Sequence, residues 1–378
     1  MRLKLYGGFG GKGVCVGLES ARTRLVIDIG INTSAIGRDY YPAITAEGLR
    51  RADALIVTHA HEDHVGGLGW CLAQGFAGRI LMTPETRADT DACLASYAEP
   101  ADRVRARDAA IATFAAGETL TIGDLTVRTG RNGHAVGGVW CAVEGEGHRV
   151  LHCGDIVPAS AVFAYDTPPQ SDVVLFDASY GHDDVPAAER AAAVVAWVAA
   201  HPQCLLPTPL AGRSLELTAI LDRPLAIAAG MREGLAAQIA DERWLWPGVK
   251  EKLARKLADA EDWRGPGWPD RPLLAHDGMG LAGPSAEFLA RASDDGHPVL
   301  LTGHLPAGSP ADVMLAAGRA EWRRLPTHPT LGENIALLKA MKPRMSFGHS
   351  CALAELSPIA ARVPSLVATA VNGQSFDL

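Results

Sequence analysis

The stretch Thr58-His59-Ala60-His61-Glu62-Asp63-His64-Val65-Gly66-Gly67 constrains this chain more than any other. Three histidines and an aspartate fall within six residues, directly after the apolar run Ala54-Leu55-Ile56-Val57. A continuous apolar run of that length reads as a buried strand, and a buried strand is a rigid base for a site at its end. Side chains on extended backbone repeat every two residues, so His59 and His61 project the same way. Asp63 and His64 follow as the chain turns and can face a second ion. Imidazole with carboxylate suits zinc, with manganese as the harder substitute. A polar loop with chance histidines does not account for so dense a cluster.

Composition sets the outer limits. At 378 residues the chain can bury two domain cores, and 48% hydrophobic with 21% charged residues describes an ordinary globular protein. A net charge of −8 gives no global basic field, although a local basic cleft can exist on an acidic protein. The seven cysteines are scattered and contain no Cys-x-x-Cys pair, which argues for small buried hydrophobes and against a disulfide framework. The first residues, Met1-Arg2-Leu3-Lys4-Leu5-Tyr6, alternate as a strand and lack an apolar signal core. No run is long enough to span a bilayer, so the expectation is a cytoplasmic protein with no membrane partner.

Along the chain, residues 1–30 read as two strands around the turn Gly7-Gly8-Phe9-Gly10-Gly11. This is not a dinucleotide fingerprint, because strand-like Val14-Cys15-Val16 follows it where a helix would be needed. Asp28 ends the strand Leu25-Val26-Ile27 and by itself reads as a turn former. A helix is expected from Val65 to Gln74, and alternating short strands and turns over 78–150. From about residue 183 the pattern changes. Pro186 opens an Ala-rich helix through Ala200, and residues 249–262 read as a charged amphipathic helix with a solvated face. The tryptophans at 244, 246, 263 and 268 could stack on bases, but packing is the favoured reading. Two parallel strands flanking a helix are expected near 272–279 and 298–304.

The His-x-His-x-Asp-His signature after an apolar strand resembles that of the metallo-β-lactamase superfamily. Asp177-Ala178-Ser179-Tyr180-Gly181 and Gly212-Arg213-Ser214-Leu215-Glu216-Leu217 narrow the resemblance to its β-CASP nucleases, the group of ribonuclease J and the cleavage and polyadenylation endonuclease. The resemblance implies an α/β fold: an αββα sandwich formed by residues 1–182 and 326–378, with an inserted α/β β-CASP domain over 183–325. It implies that His59, His61 and His134 hold one zinc and Asp63, His64 and His349 the other, with Asp155 bridging them. Asp28 would sit behind the ligands and orient one of them. His328, paired with Asp177, would donate a proton to the leaving group, and Arg213 is a candidate phosphate contact or the ion-pair partner of Glu216. A rival alignment makes His349 the first C-terminal histidine and puts Asn372 at the second position, but it ignores the helix 333–339 and Lys342-Pro343 between the two. Thr330 stands where the family has Asp, and Gly348 precedes His349 where the family has Gly after it.

The implied activity is a two-zinc phosphodiesterase in which an activated hydroxide cleaves RNA, with Asp63, His328 and Asp177 as the catalytic set and manganese as an alternative metal. The substrate channel is expected between the domains. Other readings stay open: a nuclease acting on single-stranded DNA, a small-molecule metallo-hydrolase, or a non-catalytic binding subunit of a processing complex. The complete ligand set argues against the last. A homodimer is compatible with the sequence.

Overall fold

The computed structural model describes residues 1–378, which separate into two compact units. The first comprises Met1–Pro158, Tyr165–Asp184 and His328–Leu378, and the second Ala159–Ala164 and Val185–Thr327.

The first unit is built on two sheets. Seven strands form one of them in the order Ser375–Asp377, Arg2–Gly7, Cys15–Glu19, Arg24–Ile27, Ala54–Ile56, Arg79–Met82, Ile111–Thr113. The first four pair antiparallel and the remainder pair parallel. Parallel strands are covered on both faces, which is why theirs are almost wholly apolar. Val26, Leu55 and Ile80 share a core with Leu49, Leu68 and Leu94 from the helices, while Leu25, Ile27 and Ile56 are also buried, on the alternate face.

Six strands form the second sheet: Met345–His349, Val173–Asp177, His148–His152, Val139–Gly145, Leu125–Arg131, Thr119–Ile122. Its hairpin at Glu146-Gly147 has φ of 50° and 80°, the two-residue turn whose twist matches its strands. Helices Leu331–Met341 and Leu353–Ala360 cover it, with Ile335, Leu338 and Leu356 in one core with Leu151, Val174 and Phe176. The two sheets meet at Phe347 and Phe376, whose ring centroids lie 4.8 Å apart. This is the expected αββα sandwich.

The second unit is a parallel α/β layer. Strands Leu205–Pro207, Leu273–Ala275, Ala226–Ala228 and Glu261–Trp263 pair in that order. A bridge from Leu205 to Val299 adds the parallel pair Leu300–Leu301 and Glu321–Trp322. Trp244 is buried, Trp246 Nε1 donates to Ser160 O, and Trp268 stacks on His297 at 3.7 Å. These tryptophans serve packing. No helix in the chain is long and apolar enough to cross a membrane.

Several local elements differ from expectation. Residues 1–30 form three strands, since Cys15–Glu19 pairs with both neighbours. The helix expected over Val65–Gln74 is two pieces, Glu62–Val65 and Leu68–Ala73, and the break lets Gly67 N reach Ile29 O at 2.8 Å. Residues 78–150 contain two unforeseen helices, Pro84–Tyr97 and Pro100–Asp108. The first buries Thr86, Thr90 and Leu94, a helical stripe whose members are mostly polar, so apolar periodicity carries no signal there. Residues 159–164, assigned above to the first domain, belong with the second unit. Ser160 Oγ donates to the Glu216 carboxylate, Trp246 N to Val162 O at 2.9 Å and Ala164 N to Trp244 O at 2.8 Å.

Two outcomes follow. A Cβ on Gly30 would stand 1.8 Å from Asp63 O. Gly30→Ala therefore forces the strand end away from the histidine-rich loop, and a loss of about 2–3 kcal/mol is expected in denaturant melts. Burial raises the Glu216 carboxyl from 4.5 to about 7. A raised carboxyl favours the folded state while protonated, so stability should fall by an amount on the order of 3 kcal/mol as pH rises from about 4.5 through about 7. Glu216→Gln should flatten that part of the curve of Tm against pH.

Candidate metal centre

The strand Ala54–Ile56 delivers the centre. Past it, Val57 N still bonds Leu81 O at 2.9 Å, and Thr58 is then caught by Asp28, which accepts from Thr58 N at 2.7 Å and from Thr58 Oγ1 at 2.9 Å. Asp28 holds φ at +60°, a left-handed conformation that Asp tolerates better than most residues. His59 and His61 follow, His61 on extended backbone at the N-cap position of the short helix carrying Asp63 and His64.

Three imidazole nitrogens converge. His61 Nδ1 lies 3.1 Å from His59 Nε2 and 3.0 Å from His134 Nε2. Asp155 Oδ2 stands 3.7 Å from His59 Nε2 and 3.6 Å from His134 Nε2. Zinc bound tetrahedrally at about 2.0–2.1 Å would separate its ligand atoms by roughly 3.3–3.4 Å. Beside this group, Asp155 Oδ1 lies 3.1 Å from His64 Nε2, which is 3.9 Å from Asp63 Oδ1. His349 joins Asp155 and Asp177 in a third grouping, its Nδ1 engaged by Ser350 Oγ at 3.0 Å. Asp155 is common to all three groups.

The donor set fits a metal on two counts. His349 Nε2 is buried without a hydrogen-bond partner, and buried His64 Nε2 and Asp155 Oδ1 have only each other, at 3.1 Å, an arrangement that water-excluded polar atoms rarely adopt unless something else satisfies them. The protonation states are also those of ligands. Burial, reinforced by neighbouring imidazoles, pushes His59 well below its ordinary value, His61 to about 4, His134 to about 3 and His349 to about 4. Burial acts to raise Asp155, but the charge of His64 and His328 holds it well below the carboxylate range. Neutral imidazoles and ionised carboxylates are what a divalent cation requires. His64 is the exception: Asp155, Asp28 and Asp63 outweigh its burial and hold its proton, which a cation placed among the same carboxylates would displace.

His328 stands at the edge of the cluster. Its Nδ1 lies 2.7 Å from Asp177 Oδ2 and 3.6 Å from Asp155 Oδ2, and the Tyr180 ring meets it edge-on at 5.2 Å. Asp177 is anchored on both sides, accepting from Ser179 N through Oδ1 and from Asn334 Nδ2 through its backbone carbonyl. Asn372, the rival for the second C-terminal position, instead accepts from Phe9 N at 2.9 Å. Arg213 lies in the second unit, where its Nη2 donates to Thr327 Oγ1 at 2.8 Å.

Two residues at the centre escaped the sequence reading. His152 is fully buried with Nε2 at 3.0 Å from Asp28 Oδ2, so Asp28 serves it and His64 together. A histidine in the otherwise apolar Val150-Leu151-His152-Cys153 was the available signal. Lys12 places its Nζ 3.4 Å from both Asp63 Oδ2 and Ser179 Oγ, and nothing in the glycine-rich turn around it suggested that.

Residues 9–192 match the profile of the metallo-β-lactamase superfamily. The chain carries a metallo-β-lactamase domain. Its relatives bear out the β-CASP resemblance. It is similar to cleavage and polyadenylation specificity factor 73 of Drosophila melanogaster, at 27% identity over 55% of this chain and 33% of that protein. A ribonuclease of Thermus thermophilus is 28% identical over 35% of this chain and 33% of its own length. Transcription termination factor FttA of Methanocaldococcus jannaschii is 25% identical over 82% of this chain and 56% of its own. The chain thus spans a third to little more than half of these relatives. A crystal structure of an Enterococcus faecalis protein of unknown function superposes over 100% of this chain and 99% of its own with a TM-score of 0.62, at 10% identity, a likeness of fold alone. The His and Asp cluster is able to bind metal ions.

Removing the brace behind the ligands tests the arrangement. Asp28→Asn should weaken metal affinity by about 10–100-fold in competition with a chromophoric chelator, since His64 loses its ionic partner.

Proposed function

We propose that the chain is a phosphodiesterase that cleaves single-stranded RNA using two zinc ions. His59, His61 and His134 with Asp155 would hold one ion, and Asp63, His64 and His349 with Asp155 the other. When bound, the ions supply Lewis acidity toward a phosphate and make water nucleophilic at neutral pH.

The observation that carries this reading is the His328–Asp177 pair, 2.7 Å long and standing 3.6 Å from the shared carboxylate Asp155. A ligand cluster alone would suit many hydrolases. A histidine oriented by its own carboxylate at the edge of that cluster supplies a proton donor for a poor leaving group, which a ribose oxygen is. In the protonated ring Asp177 accepts from Nδ1–H, and Nε2–H is the proton presented to the departing oxygen. Asp63 orients the attacking water by accepting its hydrogen bond. The choice of RNA draws on relatives that include a ribonuclease.

The test is cleavage of end-labelled single-stranded RNA and matched DNA by zinc-loaded protein. Wild type should cut RNA, Asp63→Ala should abolish cutting, and His328→Ala should slow it by roughly 10²–10⁴-fold. A diester with a p-nitrophenolate leaving group needs no acid, so on that substrate His328→Ala should approach wild-type rates. Stoichiometric metal with neither nucleic acid cut would overturn the proposal.

A further inference from the structure

The glycine-rich turn after the first strand has no place in the chemistry above, yet it is built with unusual stringency. Gly8, Gly10 and Gly13 hold φ of +91°, +93° and +84°. A Cβ on Gly7 would stand 2.1 Å from Gly13 O, and one on Gly13 would stand 2.8 Å from the Ile31 carbonyl carbon. Only glycine passes there. The turn is then pinned to the histidine-rich loop, Val14 N donating to Asp63 O at 2.7 Å, with Gly30 N returning to Val14 O at 2.8 Å. The side chain that this construction lays against the metal cluster is Lys12.

We propose that Lys12 is the phosphate-binding residue of the centre, taking a non-bridging oxygen of the substrate; the inference deepens the phosphodiesterase reading and rests on it for the identity of the substrate. Lys12 is the one lysine or arginine paired with a carboxylate of the cluster. Its two contacts, to Asp63 Oδ2 and Ser179 Oγ, are both 3.4 Å, well beyond the roughly 2.7–2.9 Å of a tight charge-assisted bond. An ammonium carries three donors, and this one keeps capacity for a further oxygen. The side chain is 22% exposed, so that oxygen can reach it from solvent. Divalent cations bound by Asp63 and Asp155 would neutralise the carboxylates that Lys12 now faces, leaving its charge free for an anion. Ser179, at hydrogen-bond distance from Nζ, steadies the ammonium from the Asp177 side.

Inorganic phosphate is the probe, titrated calorimetrically into the zinc-loaded full chain, with metal content measured on the same samples. Lys12→Met should weaken phosphate binding by roughly ten- to a hundredfold while both ions stay bound, and Lys12→Arg should recover most of the loss. Lys12→Gln is read the same way and replaces Lys12→Met should that variant fold poorly. Unchanged phosphate affinity in the neutral variants overturns the inference. So does loss of metal in them, which would make Lys12 a support for Asp63 and not a substrate contact. Failure of the RNA reading looks different: wild type binds phosphate through Lys12 but leaves RNA intact.

Discussion

Four donor atoms surround the buried carboxylate of Asp28: Thr58 N at 2.7 Å, Thr58 Oγ1 at 2.9 Å, His64 Nδ1 at 2.8 Å and His152 Nε2 at 3.0 Å. Isolated in such a place a carboxylate would be costly, and burial alone would raise its pKa. The facing His64 charge and the two histidine hydrogen bonds reverse that and bring it to about 2. The result is a fixed anion at the junction of both sheets, since Thr58 follows a strand of one and His152 ends a strand of the other. Rotating Asp28 would release Thr58, His64 and His152, whose ring lies 5.5 Å from that of His349. The rest of the centre depends on that carboxylate staying put.

The sheets explain why so many ligands arrive at one spot. Strands Ala54–Ile56, Val173–Asp177 and Met345–His349 each lie in parallel pairing with a neighbour, and each leads at its carboxyl end to a member of the cluster. Loops leaving the carboxyl ends of parallel strands are where α/β folds place their ligands. Here the strands come from two sheets packed face to face, so the loops converge from both sides. The consequence is a concentration of negative charge: Asp28, Asp63, Asp155 and Asp177 are all buried, faced by Lys12 and by the proton that His64 retains. His59, His61, His134 and His349, which burial holds neutral, cannot offset the remainder. A centre built this way is short of positive charge, and divalent cations resolve the shortage.

What the sequence disclosed follows from how locally each feature is encoded. The metal loop is legible because its ligands alternate within a few residues after an apolar strand, and the sheet period alone aligns His59 with His61. Asp155, His134 and Asp28 are single residues at strand ends or in small-residue loops, and only likeness to a family picks them out. Helix Pro84–Tyr97 is hidden because threonines fill its buried stripe. Residues 159–164 escape their domain because the bond that moves them, Ser160 to Glu216, joins residues 56 positions apart. Lys12 is obscured for a related reason. Its position depends on backbone paths open to glycine, and a run of glycines does not announce which side chain it serves.

Asp177 shows how the fold separates two tasks that a single cluster must perform. Its strand lies between His148–His152, which leads to Asp155, the carboxylate common to the three candidate groups, and Met345–His349, which ends in a further ligand candidate. Asp177 itself turns one oxygen to Ser179 N and the other to His328 Nδ1. It is therefore held by the sheet that carries the metal ligands while spending its free oxygen on a residue outside their shell. His328 in turn begins the return of the chain to the first unit, two residues before the capping box of Thr330 and Glu333 that starts the next helix. A histidine whose ring is already held by a carboxylate loses little entropy when a substrate arrives. In the proposed reaction the cluster would set the phosphate, and the His328–Asp177 pair the departing oxygen, without either group having to serve both ends of the bond.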